Sequence, residues 1–229
     1  MPRLLPAALA LLLAAALSAC AEPDAPLSPP EASAEAPSAA PADTMGITAE
    51  MAEGRALGVG ETAPDFELPG VDGRPVRLAS LLERGPVVLT FYRGAWCPYC
   101  NTQLRDYEQR LAEIEARGAT LVAISPQTPD SSLTTQERNE LSFPVLSDTG
   151  GQTSRTYGLT FQVDEATRER YRAVGVDLEQ YNDADTWELP VPATYVIAPD
   201  GTVQAAFVEA DYTQRASVQQ ILDALAKVS

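Results

Sequence analysis

The stretch RGAWCPYCNTQL, Arg93 to Leu104, sets two thiols, Cys97 and Cys100, three residues apart in an apolar, aromatic frame that runs into helix-forming sequence. At that spacing two side chains lie one helical turn apart on one face, near the 5 to 6 Å between Cα atoms that a disulfide needs. A cysteine at a helix start meets unpaired backbone N–H groups and the positive end of the helix dipole, and both favour a thiolate. In a Cys-X-X-Cys arrangement the thiol pKa falls from about 8.5 to about 7 or lower. The chemistry on offer is a nucleophilic thiolate with a second thiol in reach. A permanent structural disulfide is the alternative, but closing so short a loop removes little chain entropy. Trp96 either shields the sulfurs, docks a partner or is a core aromatic; Tyr99 reads as a core aromatic. Arg93, four residues before Cys97, either stabilises a thiolate or developing oxyanion or stays in solvent without a role.

Composition removes the competing chemistries. No histidine occurs among the 229 residues, which excludes Ser/His/Asp hydrolysis, His-dependent zinc or copper sites and imidazole acid-base catalysis. The three cysteines, Cys20, Cys97 and Cys100, are too few for a four-thiolate zinc site. No metal or cofactor is expected. Lys and Arg total 16 against 32 Asp and Glu, a net charge of −16, so binding to phosphate backbones or anionic headgroups is disfavoured and no nucleic-acid partner is expected.

The elements that must position the cysteines follow from periodicity. Val87 to Phe91 (VVLTF) and Thr120 to Ser125 (TLVAIS) are β-branched apolar runs of the kind that form buried parallel strands. Between them Leu104, Tyr107, Leu111 and Ile114 recur at helical steps, predicting an amphipathic helix that stops at Gly118. In ATYVIAPDGTVQAAFV a Pro-Asp-Gly turn separates two apolar runs, the pattern of an antiparallel hairpin. Val218, Ile221, Leu222 and Leu225 then predict a closing amphipathic helix. A parallel strand-helix-strand unit, a hairpin and a helix make an α/β fold, a thioredoxin-like central mixed β-sheet flanked by helices.

The N-terminal region has another purpose. MPRLLPAALALLLAAALSAC carries one positive charge and an apolar run of about 14 residues, short of the roughly 20 that span a bilayer, and reads as a signal peptide over residues 1–19. Its ending, Leu17-Ser18-Ala19-Cys20, resembles the bacterial lipobox, which implies that Cys20 is lipidated. Ala21 beside it resembles the pattern sent on to the outer membrane. The expected location is the bacterial cell envelope, facing the periplasm, with the membrane engaged through the lipid alone. Residues 20–55 are rich in Ala, Pro, Glu and Ser, cannot bury enough surface to offset their chain entropy, and read as a disordered tether. A short helix within Thr44 to Leu57 is the open alternative there.

From residue 56 to 229 the chain reads as one domain. GETAPDFELPGVDGRPVRLASLL (Gly60 to Leu82), followed by VVLTFYRGAWCPYCNTQL, resembles the opening of the peroxiredoxin family, the alkyl hydroperoxide reductase and thiol-specific antioxidant group. Residues 164–189 match that pattern poorly and read as an insertion. The resemblance implies a thiol-dependent peroxidase acting on hydrogen peroxide or organic hydroperoxides, with a thioredoxin-like or other dithiol reductant as partner. The alternative is a thiol-disulfide oxidoreductase acting on exported protein cysteines. NTQL after Cys100 aligns Cys100 with the family's attacking cysteine, whereas thioredoxin-like reductases attack with the first cysteine, here Cys97, at an exposed helix end. Three departures stand out: Arg93 at a family proline, Cys97 at a threonine, and Pro192 at an activating arginine. Pro192 resembles instead the cis-proline that faces the cysteines of thioredoxins; an ordinary strand-edge proline is the other reading. Arg215, in DYTQR, is a second candidate cation.

Overall fold

The computed structural model describes residues 55–228; the expected signal peptide, Cys20 and the expected tether up to residue 54 lie outside them. The centre is a mixed five-stranded sheet in the order β5-β4-β3-β8-β9, built from β3 (Val87–Phe91), β4 (Thr120–Ser125), β5 (Val145–Ser147), β8 (Ala193–Ile197) and β9 (Val203–Val208). Strands β3, β4 and β5 pair in parallel, with Val87 opposite Thr120 and Ala123 opposite Val145. Strand β8 returns antiparallel to β3, and β9 antiparallel to β8 across the Pro-Asp-Gly turn. Every side chain of β3 is buried, which is why it reads as a continuous apolar run.

Alternation along the strands divides the core into two layers. Val88, Leu121, Ala123 and Val196 face one side, against α2 (Pro98–Gln109), α3 (Leu111–Glu115) and α8 (Val218–Leu225). Val87, Leu89, Phe91, Val122 and Ile124 face the other, under α1 (Leu78–Leu82) and near the β1–β2 hairpin (Glu67–Pro69 with Pro75–Arg77). The helix expected to run to Gly118 is interrupted at Arg110, whose backbone (φ −117°, ψ 16°) leaves the helical region. Leu104, Tyr107, Leu111 and Ile114 nonetheless join one core layer, so an apolar repeat that continues across the break conceals it. Helix α8 starts at a capping box between Ser217 and Gln220. Helix α4 (Pro129–Arg138) starts at Thr128, whose hydroxyl accepts from the Ser131 N–H, with Pro129 in the first turn.

After β5 come α5 (Gln152–Thr156) and β6 (Thr160–Gln162), and β6 pairs with β7 (Glu188–Pro190) as a separate ribbon. Between them, residues 164–189 fold into α6 (Glu165–Ala173), capped by Asp164 on the Thr167 N–H, and α7 (Leu178–Asn182). With the flanking β6 and the chain beyond β7, this segment forms a small core of Phe161, Val163, Leu178, Trp187, Leu189 and Val191. Trp96 and Tyr171 pack against it, so the segment reaches the paired cysteines.

Pro192 is in a trans peptide: no cis bond occurs among the described residues. The expectation of a cis-proline is therefore corrected. The physical reason is continuity with the sheet. The Pro192 carbonyl accepts from the Glu209 N–H, so the backbone enters β8 extended, and the trans form is the ground state of an X-Pro bond by about 0.5 to 1 kcal/mol.

Candidate active site

Strand β3 ends at Phe91, and residues 92–97 turn the chain from the sheet into α2. Cys97 is the N-cap of that helix, with extended backbone, and Pro98 occupies its first turn, where the missing N–H costs nothing. Gly94 permits the turn. Its φ is 150°, and an added Cβ would lie 2.5 Å from Trp96 Nε1 and 3.2 Å from Gln127 Cδ. Two side chains clamp the loop. The Ala95 N–H donates to Gln127 Oε1 at 2.9 Å, and Asn101 Nδ2 donates to the Ala95 carbonyl at 2.8 Å. Gln127 is itself fully buried and also accepts from the Thr135 hydroxyl at 3.2 Å.

Both cysteines are reduced and both are 0% exposed. The expectation that Cys97 would present an exposed sulfur at the helix end is thus corrected: its side chain joins the core layer beneath Trp96, and the Arg93 guanidinium sits directly on it. Arg93 is buried, not solvated, at 3% exposure. Its Nη2 donates to Cys97 Sγ at 3.0 Å and its Nη1 to the Tyr171 hydroxyl at 3.4 Å. Its charged carbon lies 4.2 Å from the centre of the Tyr212 ring and 5.3 Å from that of Trp96, both within cation–π range. On the far side, Arg215 Nη2 approaches Cys100 Sγ at 3.8 Å while Nη1 is tied to the Tyr212 and Gln214 carbonyls.

These surroundings push the two thiols in opposite directions. Burial opposes a thiolate on Cys100, but the hydrogen bond from the Cys97 thiol, the charges of Arg93 and Arg215, and a backbone hydrogen bond from Arg93 outweigh it, holding Cys100 well below the ordinary thiol range. Cys97 is pushed well up, first by burial and then by its hydrogen bond to Cys100 and the charge there; Arg93 acts in the opposite sense. The closer guanidinium therefore rests on the sulfur whose pKa is raised. The two facts are compatible, because a thiol sulfur accepts from Arg93 through a lone pair. Burial works against the charge of Arg93, but the sulfurs and Tyr171 outweigh it and raise its pKa further. Tyr171 is pushed up to about 12, chiefly by burial, and stays a neutral phenol.

A cavity of about 340 Å³ lies beside this arrangement, with Arg93, Trp96, Tyr171, Val174, Val176 and Tyr212 among its walls and neither sulfur exposed to it. Trp96 and Tyr171 are 5.0 Å apart between ring centres, and Tyr99 meets Tyr212 edge-on at 5.6 Å. Tyr99 is not the core aromatic expected: it is 37% exposed at the rim, because its helical position points away from the face that carries Cys100 and Leu104. Pro192 lines a separate crevice with Gln103, Thr194 and Arg215, not this cavity. Arg93, Trp96, Cys97 and Cys100 are brought together as their spacing predicts; Gln127, Tyr171 and Tyr212 are additions. An aromatic in a segment that departs from the surrounding pattern was the one available signal, and it applies to Tyr171.

The chain is similar to several known proteins. A peroxiredoxin of Mycobacterium tuberculosis is 34% identical over 156 residues, covering 68% of this chain and 88% of the relative. The thiol-disulfide oxidoreductase ResA of Geobacillus thermodenitrificans is 31% identical over 119 residues, covering 49% of this chain and 67% of the relative. Among solved structures, the peroxidoxin BcpB of Mycobacterium tuberculosis superposes with a TM-score of 0.59 at 25% identity, covering 76% of this chain and 99% of that one. The AhpC/TSA family profile matches residues 59–206, and with both sulfurs of the dithiol inside that span the chain belongs to the AhpC/TSA family.

Proposed function

We propose that this domain is a thiol-dependent peroxidase in which Cys100 attacks the peroxide, Cys97 resolves the product as a disulfide, and an external dithiol restores the pair. The observation that carries the reading is the buried, unbridged thiol pair, with Arg93 3.0 Å from Cys97 and Arg215 3.8 Å from Cys100, and with Arg93 also in the wall of a cavity of small-molecule size. A thiolate flanked by guanidinium groups meets the charge demand of O–O cleavage, in which negative charge moves from sulfur to the leaving oxygen. The sulfenic acid formed has a thiol one turn away with which to condense.

The alternative, exchange with exported protein disulfides, draws support from the likeness to ResA. The burial of both sulfurs weighs against it as the first step. Thiol-disulfide exchange needs a third sulfur, with its chain attached, to approach the attacking thiolate, whereas a peroxide occupies little more than the volume of two waters. Purified residues 56–229 therefore consume hydrogen peroxide and organic hydroperoxides with a dithiol reductant much faster than they reduce insulin. Faster insulin reduction, or peroxide consumption that survives Cys100→Ser, would reverse the assignment.

The location follows from the N-terminal motif. Lipidation at Cys20, supported by Leu17-Ser18-Ala19-Cys20, would hold the enzyme at the envelope membrane. Cys20→Ala moves the full chain from the membrane to the soluble envelope fraction. A mutant that still sediments with membranes counts against the anchor.

A further inference from the structure

We infer that Gln103 and Arg215 form the subsite that holds a hydroperoxide against Cys100: the Gln103 side-chain oxygen accepts the peroxide O–H, and the Arg215 Nε–H donates to a peroxide oxygen. The inference rests on the peroxidase reading above, with Cys100 as the attacking sulfur, and goes beyond it by naming the groups that bind the oxidant.

Two complementary orphans lie on the Arg215 side of the dithiol. Gln103 is 5% exposed, and its Oε1 has no hydrogen-bond partner among the described residues. Arg215 Nε is likewise buried and unpaired. A buried acceptor and a buried donor without partners are costly, and a ligand that satisfies both removes the cost. Both side chains line one polar groove of about 360 Å³, with Asp106, Gln109 and Ser217 also in its walls. Neither sulfur lines that groove. Arg215 joins the two, because it lies in the groove wall and its Nη2 is 3.8 Å from Cys100 Sγ.

The direction of each orphan is fixed by its other bonds. The Tyr107 hydroxyl donates to the Ala216 carbonyl at 2.9 Å, which can only accept. The Tyr107 oxygen is thereby left to accept from Gln103 Nε2 at 2.8 Å. The Gln103 amide is held with its NH₂ toward Tyr107 and its oxygen turned away, one helical turn from Cys100 on the same face of α2. Arg215 Nη1 donates to the Tyr212 and Gln214 carbonyls, which anchors the guanidinium. Its Nη2 and Nε share another edge of the plane, with parallel N–H groups. One tine of that fork approaches the Cys100 sulfur and the other is open, so an oxygen that accepts from Nε lies beside the sulfur.

A hydroperoxide group has what this pair asks for, an O–H to give and lone pairs to receive with. A phosphate or carboxylate would meet Arg215 but set its negative oxygens against Gln103 Oε1, so the pair selects a neutral group. With hydrogen peroxide in place, the Cys100 thiolate attacks one oxygen. The S–O bond forms, the O–O bond breaks, and hydroxide leaves with the electron pair and takes a proton from water. Cys100 becomes the sulfenic acid, losing two electrons that the peroxide gains. Gln103 orients the O–O bond, and Arg215 meets the charge that develops on the departing oxygen.

The test is single-turnover oxidation by hydrogen peroxide across pH, followed by stopped-flow tryptophan fluorescence, in wild type, Gln103→Met and Arg215→Lys. Methionine keeps the length of Gln103 without its acceptor; lysine keeps the charge of Arg215 without its paired N–H edge. Each variant is expected to lower the rate constant on the high-pH plateau about 10-fold, the worth of one hydrogen bond in the transition state. The acid limb stays in place, because neither substitution changes the charge beside Cys100. Reduction of the Cys97–Cys100 disulfide by dithiothreitol, which involves no peroxide, stays within about 3-fold of wild type. A wild-type plateau in either variant overturns the proposal. So does a loss explained wholly by a shifted acid limb, or an equal loss in disulfide reduction, since these mark a thiolate or a structural effect. If Gln103→Met does not fold, Arg215→Lys, on a partly exposed side chain, decides alone. Wild type that hydrogen peroxide oxidises at neither sulfur brings down the peroxidase reading together with the subsite, a result distinct from these.

Discussion

Arg93 is the residue on which the electrostatics of the site turn. It is buried among Trp96, Tyr171 and Tyr212 and hydrogen-bonded to a sulfur, so its charge acts in a low-dielectric setting where little of it is screened. Its place was legible because it lies four residues from Cys97 in a single loop. The groups that hold it were not, because Tyr171 and Tyr212 come from 78 and 119 positions further along the chain and no local pattern links them to a cysteine. The thiolate is the reactive form, and Cys100 is held below the ordinary thiol range of about 8.5. Peroxide reactivity is therefore level around neutrality and falls as pH drops through the lowered Cys100 value, where the sulfur gains a proton. Arg93→Gln removes one of the charges that lowers that value. Its acid limb shifts to higher pH, and kcat/KM at neutral pH drops about 10²-fold, in the range for loss of one preorganised donor. Stopped-flow rates across pH check this, and an unshifted limb would show that Arg93 does not set the thiolate.

Among the elements, the turn from β3 into α2 and the segment from α6 to α7 decide whether the cysteines are held and covered. The strand and the helix were readable from β-branched runs and a 3.6-residue apolar repeat. The break at Arg110 was not, since both halves bury the same face. The clamp by Gln127 was invisible too: a lone polar residue after a strand reads as loop, yet here it satisfies the buried Ala95 N–H. Gln127→Leu leaves that donor unpaired and is expected to cost about 1 to 3 kcal/mol in denaturant unfolding, with a loss of peroxide reactivity. Gly94→Ala goes further, because its Cβ collides with the Trp96 indole; the loop shifts, and activity falls more than about 10-fold. Wild-type activity in Gly94→Ala would mean that the Trp96 position is irrelevant to the chemistry. Residues 164–189, which read from the sequence as an insertion, contribute Tyr171 and the exposed Val174 to the cavity wall. Val174→Asp places a charge on that apolar rim. It is expected to raise KM for cumene hydroperoxide several-fold more than KM for hydrogen peroxide, measured in parallel assays.

For the whole molecule, the parallel strand-helix-strand unit, the hairpin and the closing helix followed from periodicity and turn chemistry, because burial on both faces of the sheet leaves a strong apolar record along each strand. The site was legible where its groups are neighbours in sequence, from Arg93 to Cys100. It was misread where burial depends on distant segments, as with the covered Cys97 and the exposed Tyr99, and where a proline was judged by its resemblance and not by the strand it enters. The central claim is that Cys100 meets the peroxide and Cys97 resolves it, and trapping the first oxidised sulfur tests it most directly. Each single Cys→Ser variant is treated with one equivalent of peroxide in the presence of dimedone, and the adduct is located by peptide mass spectrometry. The account predicts a dimedone adduct on Cys100 in the Cys97→Ser protein and none above background on Cys97 in the Cys100→Ser protein. An adduct confined to Cys97, in the Cys100→Ser protein, would contradict it and make the first cysteine the nucleophile.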